Sequence, residues 1–300
     1  MSRIDEALKR ASHSPLGSRG SNRASDTPLR LADELTINEY PAENRNAVLR
    51  PEAKAPVTHT TPPQHRVETR TLTAKLNVEA NDKLIVVNRN YLSTEQYRRL
   101  AATLHEAQID KGLKSVLVTS AVPREGKTLT VVNLALTLSE SYGRQVLLVD
   151  ADLRRPSVHE MLGIPNEPGL SELLRSNRVD PPILQVSPRL AVLPAGRVHD
   201  NPLAGLSSDR MRTFLDEVSA QFQWVLLDTP PVGLLPDAQL LGRVAQAAVF
   251  VIRAGATPYA VVERAISELG RDCIIGTVLN GVEERTLPAT SYYGEYAQKA

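Results

Sequence analysis

The feature that most constrains this chain is an alternation of short, near-continuous apolar runs with amphipathic stretches. The runs are SVLVTSA (115–121), QVLLVD (145–150), LAVLPAG (190–196), QWVLLD (223–228), AAVFVIRA (247–254) and IIGTVLN (274–280). Runs this apolar predict strands covered on both faces rather than strands with one wet face. Between them, stretches such as LTVVNLALTLSES and SDRMRTFLDEVSAQF carry apolar residues at helical spacing. Strands and helices in this order predict an α/β fold, a mostly parallel sheet with helices on both faces. Ligands of such sheets collect beyond the carboxyl ends of the strands, so the residues that follow each run are the first place to look for a site.

Composition narrows the functional classes. Three hundred residues at 42% hydrophobic can build one large core with tails. The 35 lysines and arginines are balanced by 34 acids, so overall charge gives no support to a nucleic-acid or membrane-surface binder, and any anion site must be local. A lone Cys273 excludes an intramolecular disulfide framework. No signal peptide and no apolar run of about eighteen residues is visible, which predicts a soluble, cytosolic chain. The histidines (His13, His59, His65, His105, His159 and His199) show no ligand spacing, and Cys273, read as lying in a strand, has no placed base. Metal-hydrolase and acyl-transfer chemistry therefore find no support.

Four segments are expected. MSRIDEALKRA places Ile4, Ala7, Leu8 and Ala11 on one face behind Ser2, a short amphipathic helix over 1–12. Residues 13–76 are rich in Ser, Thr, Pro and Arg without period and read as a disordered linker. The folded domain is expected over 77–281, and a tail over 282–300 has no hydrophobic period and reads as mobile. Just before the first strand, LSTEQYRRLAATLHEAQ puts Tyr97, Leu100, Ala101 and Leu104 on one helical face, with Ser93 and Gln96 in a capping-box pattern.

The first apolar run is followed by AVPREGKT (121–128) and then at once by a helix. This is a phosphate-loop pattern with Ala121 in place of the first glycine. Ala121, Val122, Pro123, Arg124, Glu125 and Gly126 would wrap an anion with their backbone at a helix N-terminus, Gly126 supplying the unusual dihedrals. Lys127 would reach the β- and γ-phosphates and the Thr128 hydroxyl would ligate Mg²⁺. A chance Gly-Lys-Thr in a strand–helix turn would look the same. Two further stretches bear on the choice: VLLVDADLRRP (146–156) ends a strand in Asp150 and Asp152, and WVLLDTPP (224–231) ends another in Asp228. Any one of these acids could be a turn or helix cap. Together with a lysine, they offer oxygen ligands for a cation and a base beside a polyphosphate.

AVPREGKT, VLLVDADLRRP and VLLDTPP resemble the Walker A, Walker A′ and Walker B motifs of bacterial tyrosine kinases, the P-loop autokinases of exopolysaccharide export. The resemblance runs from about Leu92 to the end and takes in VLPAGRVHDNP (192–202), LLPDAQLL (234–241) and VIRAGAT (251–257). The opening MSRIDEALKRA is similar to that of the variant found beside exosortase-linked loci. Partitioning and division-site ATPases share the fold, but they carry an extra lysine near the start of the loop, where this chain has Val122.

The resemblance implies ATP and Mg²⁺, with Lys127 and Thr128 on the phosphates and the metal, Asp228 holding the metal through water, Asp150 assisting it, and Asp152 receiving or orienting the phenolic proton. Asn280 resembles the adenine-reading position of the wider superfamily. The closing SYYGEYAQKA gathers Tyr292, Tyr293 and Tyr296, three of the chain's eight tyrosines, as phosphoacceptors served by an adjacent subunit of a ring. The ring motif E-x-x-R-x-x-R is met by Glu95 and Arg98 but broken by Ala101, and Arg99 lies one residue out of phase. The implied partners are a membrane polysaccharide co-polymerase as activator, recruiting a cytoplasmic kinase to the inner membrane, a tyrosine phosphatase, and no nucleic acid. A partner-regulated ATPase switch and a nucleotide-binding scaffold without turnover are the competing readings.

Overall fold

Strand β2 (Ser115–Ser120), β3 (Val146–Asp150) and β6 (Trp224–Asp228) form the centre of the sheet and are buried at every position. The computed structural model describes residues 72–73, 84, 91–175, 181–198 and 202–282. These belong to one of the chain's two units; the other, residues 15–65, lies outside the described residues, as do the expected helix over 1–12 and the tail beyond 282. The remaining strands are β1 (Leu72–Thr73), β4 (Leu184–Ser187), β5 (Leu190–Leu193), β7 (Ala247–Arg253) and β8 (Ile274–Asn280). Their order is β1-β4-β5-β3-β6-β2-β7-β8, with every pairing parallel except β4 with β5. The expected α/β class with a mostly parallel sheet is what the chain forms.

Both faces of each central strand are apolar because successive side chains go to opposite sides. Leu117, Leu147, Val149, Val225 and Leu227 join one core. Helices α6 (Asp209–Gln221) and α8 (Tyr259–Leu269) cover it with Met211, Phe214, Leu215, Val218, Val262, Ala265 and Ile266. Val116, Val118, Val146, Leu148, Trp224 and Leu226 join the other core, covered by α1 (Tyr91–Lys111) and α2 (Lys127–Leu136) through Ala101, Leu104, Val131, Val132 and Leu134. Each valine, leucine or isoleucine among them contributes about 1.5–3 kcal/mol on burial.

Several boundaries differ from the sequence reading. Helix α1 starts at Tyr91, which places Ser93 inside the first turn rather than at the cap. Strand β5 stops at Leu193: Pro194 has no N–H to donate to a ladder, and Gly196 turns the chain with φ 82. The antiparallel hairpin of β4 and β5 was not expected, nor was β1, which pairs with β4 from inside the stretch assigned to the linker. Cys273 sits in a 3₁₀ turn (Arg271–Cys273) just before β8 rather than in the strand. The helical pattern after α2 continues as a π-helical turn over Thr137–Ser141. Shorter helices complete the unit: α3 (Val158–Leu162), α4 (Leu170–Arg175), α5 (Leu203–Leu206) and α7 (Asp237–Gly242).

Candidate active site

Register places the acids. Asp150 lies opposite Asp228 at the carboxyl ends of β3 and β6, and Asp228 lies opposite Val118 of β2, two residues before that strand ends. The loop 121–126 then carries the chain from β2 into α2, so Lys127 and Thr128 enter the first helical turn directly above the two carboxylates. Gly126 caps the helix with φ 91, in the left-handed region, and a Cβ there would strike the Asn280 carboxamide. Arg124 also adopts a left-handed φ of 67, a conformation that costs a non-glycine residue about 1 kcal/mol or more.

Side chains close the cluster. The Lys127 Nζ donates to Asp152 Oδ2 at 2.9 Å and lies 3.5 Å from Asp228 Oδ1. The Thr128 hydroxyl donates to Asp228 Oδ2 at 2.7 Å and accepts from Ser157 Oγ at 3.2 Å. Asp150 accepts three backbone N–H groups, from Asp152 at 3.2 Å and from Ser157 and Val158 at 3.1 Å each. Those bonds fold the segment after β3 back on itself and hold Asp152 toward Lys127. Behind it, Arg154 makes a two-pronged pair with buried Asp237 at the start of α7, at 2.8 and 3.2 Å.

Burial pushes the Asp150 carboxyl well above the usual carboxylate range, and Asp228 adds to this, against the N–H of Val158. Burial likewise raises Asp228, opposed by Lys127 and the Thr128 hydroxyl. For Lys127, burial favours the neutral amine, but Asp228, Asp152 and Asp150 outweigh it and hold the pKa above that of an ordinary lysine. The ammonium is therefore fixed in its charged form.

The structure brings Lys127, Thr128, Asp150, Asp152 and Asp228 together, as expected from their places after strands. Val122 is half-buried, while Pro123 and Arg124 are exposed on the loop. The Glu125 side chain turns inward, where its carboxylate accepts from the N–H groups of Val122 and Arg253 and from the Thr257 hydroxyl. Asn280 lies against the loop at the end of β8. Tyr292, Tyr293 and Tyr296 lie outside the described residues. Arg154, Ser157, Asp237 and Thr257 are site neighbours that sequence reasoning misses. Asp237 and Thr257 lie inside LLPDAQLL and VIRAGAT, whose apolar neighbours give no hint of their partners.

The donor set suits Mg²⁺ held jointly with a substrate. Among the described residues no three His, Cys, Asp or Glu side chains converge into a protein-only metal cage. Thr128 and Asp228 instead offer adjacent hard oxygens, and the buried Asp228 Oδ1 accepts no hydrogen bond. That is the pattern of a cation that takes its other ligands from phosphate and water.

A doubly covered, mostly parallel sheet with a lysine-bearing phosphate loop and acids at the ends of the neighbouring strands defines a P-loop nucleotide-binding protein. No family model matches the chain. The tyrosine-protein kinase YwqD of Bacillus subtilis is 37% identical over 212 residues, covering 69% of this chain and 88% of that kinase. The tyrosine-protein kinase wzc of Salmonella typhimurium is 33% identical over 222 residues, 71% of this chain but 30% of wzc, so the match spans less than a third of that protein. Among solved structures, the kinase domain of Escherichia coli tyrosine kinase ETK superposes with a TM-score of 0.59 at 33% identity, covering 66% of this chain and 79% of that one. The chain belongs to the bacterial tyrosine-protein kinases.

Proposed function

We propose that the chain transfers the γ-phosphoryl group of ATP, with Mg²⁺, to tyrosine hydroxyls, that Tyr292, Tyr293 and Tyr296 are its own acceptors, and that this regulates exopolysaccharide polymerisation or export. The observation that carries the reading is the bridge made by Lys127 between Asp152 and Asp228. A fixed ammonium at the mouth of a phosphate loop is what a transferring phosphoryl group needs. Phosphoryl transfer requires mainly positioning and charge stabilisation.

In this reading the loop backbone from Ala121 to Gly126 cradles the phosphates and Lys127 leaves Asp152 for the β- and γ-oxygens. Thr128 and Asp228 hold the metal, with Asp150 behind them. Mg²⁺, when bound, neutralises charge building on the phosphate oxygens. Asp152, freed from Lys127, orients the acceptor hydroxyl and takes its proton as the phenol oxygen bonds to phosphorus and the bond to the ADP oxygen breaks. A phenol, with a pKa near 10, needs only modest help from such a base.

The partners expected are a membrane polysaccharide co-polymerase that activates the kinase and draws it to the inner membrane, a tyrosine phosphatase that resets it, and a neighbouring copy that receives the tail. Among the described residues no helix is long and apolar enough to cross a membrane.

The test is phosphotyrosine mapping by mass spectrometry on the full chain after incubation with ATP and Mg²⁺, alone and with a co-polymerase cytosolic segment. Wild type is expected to be modified in the tail, and Lys127→Met to be modified at least about 100-fold more slowly, the scale of losing one charge-stabilising donor. Phosphate release without phosphotyrosine would establish the ATPase switch instead. Nucleotide binding without turnover, unchanged by Asp152→Asn, would establish the scaffold.

A further inference from the structure

We propose that Asn280 and Glu125 form a latch that shapes the phosphate loop, so that Asn280 serves triphosphate binding instead of reading the base. The inference rests on the nucleotide reading above and reassigns one residue within it. Both ends of the Asn280 carboxamide are engaged. Its Nδ2 donates to the Glu125 carbonyl at 2.9 Å, and its Oδ1 accepts the Gly281 N–H at 2.9 Å. The same carboxamide rests against Gly126, leaving no room for a side chain there.

Glu125 continues the latch on its other side. The residue is 1% exposed, and its carboxylate receives the Val122 N–H at 2.8 Å, the Thr257 hydroxyl at 2.6 Å and the Arg253 N–H at 3.2 Å. A buried carboxylate is tolerated only when its oxygens are this fully bonded. The result ties the loop at two places, Val122 and the Glu125 carbonyl, to the ends of β7 and β8. Such ties are needed because the loop holds left-handed dihedrals at Arg124 and Gly126 and has Ala121 where a P-loop has its first glycine. Without them the loop would relax toward less strained dihedrals and its N–H groups would no longer converge.

A residue that shapes the loop and a residue that reads adenine make opposite demands on affinity. Loss of the latch weakens every ligand bearing a triphosphate by the same factor, whatever its base. Loss of a base reader weakens ATP alone. The experiment measures dissociation constants of the full-length protein for ATP, GTP and inorganic tripolyphosphate, each with Mg²⁺, alongside a thermal unfolding scan. Asn280→Ala is expected to weaken all three about 10-fold, the scale of one net hydrogen bond, with the ATP:GTP ratio unchanged. Thr257→Val, which removes the hydroxyl bonded to Glu125, is expected to weaken all three in parallel, and Thr257→Ser to restore them. Tripolyphosphate binding unaffected by Asn280→Ala while ATP binding falls would overturn the latch and make Asn280 a base reader. A wild-type protein that binds none of the three would overturn the nucleotide reading itself, and the latch with it.

Discussion

Lys127 stands among three acids, Asp150, Asp152 and Asp228, and the arithmetic of charge explains how the cluster behaves. Burial opposes ionisation of Asp150 and Asp228, so in the metal-free protein the folded state holds protons that the unfolded chain would release. A carboxyl raised in this way contributes stability that is fully present below its unfolded pKa of about 4 and is lost as pH rises through the folded value. The melting temperature of the metal-free protein is therefore expected to fall as pH rises above about 4, for the share owed to this cluster, and Asp150→Asn to flatten that slope. Scanning calorimetry of the two proteins across this range checks it, and equal slopes would refute the assignment. Mg²⁺ should raise the melting temperature more as pH rises, since the cation needs the ionised carboxylates.

Between elements, the most consequential tie is Arg154 to Asp237, which fastens the segment after β3 to α7. The Asp237 side chain is 0% exposed and that of Arg154 30%. Removing the arginine leaves a buried carboxylate without its partner, which costs about 3–5 kcal/mol when both groups are buried and less when one reaches water. Arg154→Ala is expected to lower stability by about 2–3 kcal/mol in urea unfolding, and Arg154→Ala with Asp237→Ala to lose less than the sum of the single changes. Nothing local announces this pair, because the two residues lie 83 positions apart. The bonds of Glu125 to Arg253 and Thr257 span 128 and 132 positions and were equally hidden. Asp150, Asp152 and Asp228 were legible because each stands at or just past the end of an apolar run, and Lys127 and Thr128 because a phosphate-loop pattern links one such run to the helix they open. The central strands were legible from the apolar runs themselves. Strand β4, with Gln185 and Ser187 in its four residues, carries no such signature and owes its place to pairing with β5.

At the scale of the whole molecule, Ala101 decides whether the broken E-x-x-R-x-x-R pattern could be restored by a single substitution. Its side chain is 0% exposed and packs in the core shared by α1 and α2, while Glu95 pairs with Arg99 of its own helix at 3.6 Å. An arginine at position 101 would start from a buried site, so Ala101→Arg is expected to cost about 3 kcal/mol or more and to leave the oligomeric state unchanged. Light scattering and urea unfolding on the same samples decide this, and a stable, enlarged assembly would refute it. The strand order carries a further consequence, for biosynthesis. Strands β2 and β3 are consecutive in the chain but not adjacent in the sheet: β6 lies between them. A nascent chain that has delivered Lys127, Asp150 and Asp152 still has an open slot with bare hydrogen-bonding edges on either side. Only when residues 224–228 emerge from the ribosome can the slot fill and Asp228 complete the cluster. Until then the half-made sheet keeps unpaired edges at its centre, which leaves the nascent chain most open to wrong pairing during the time its own site is still missing one acid.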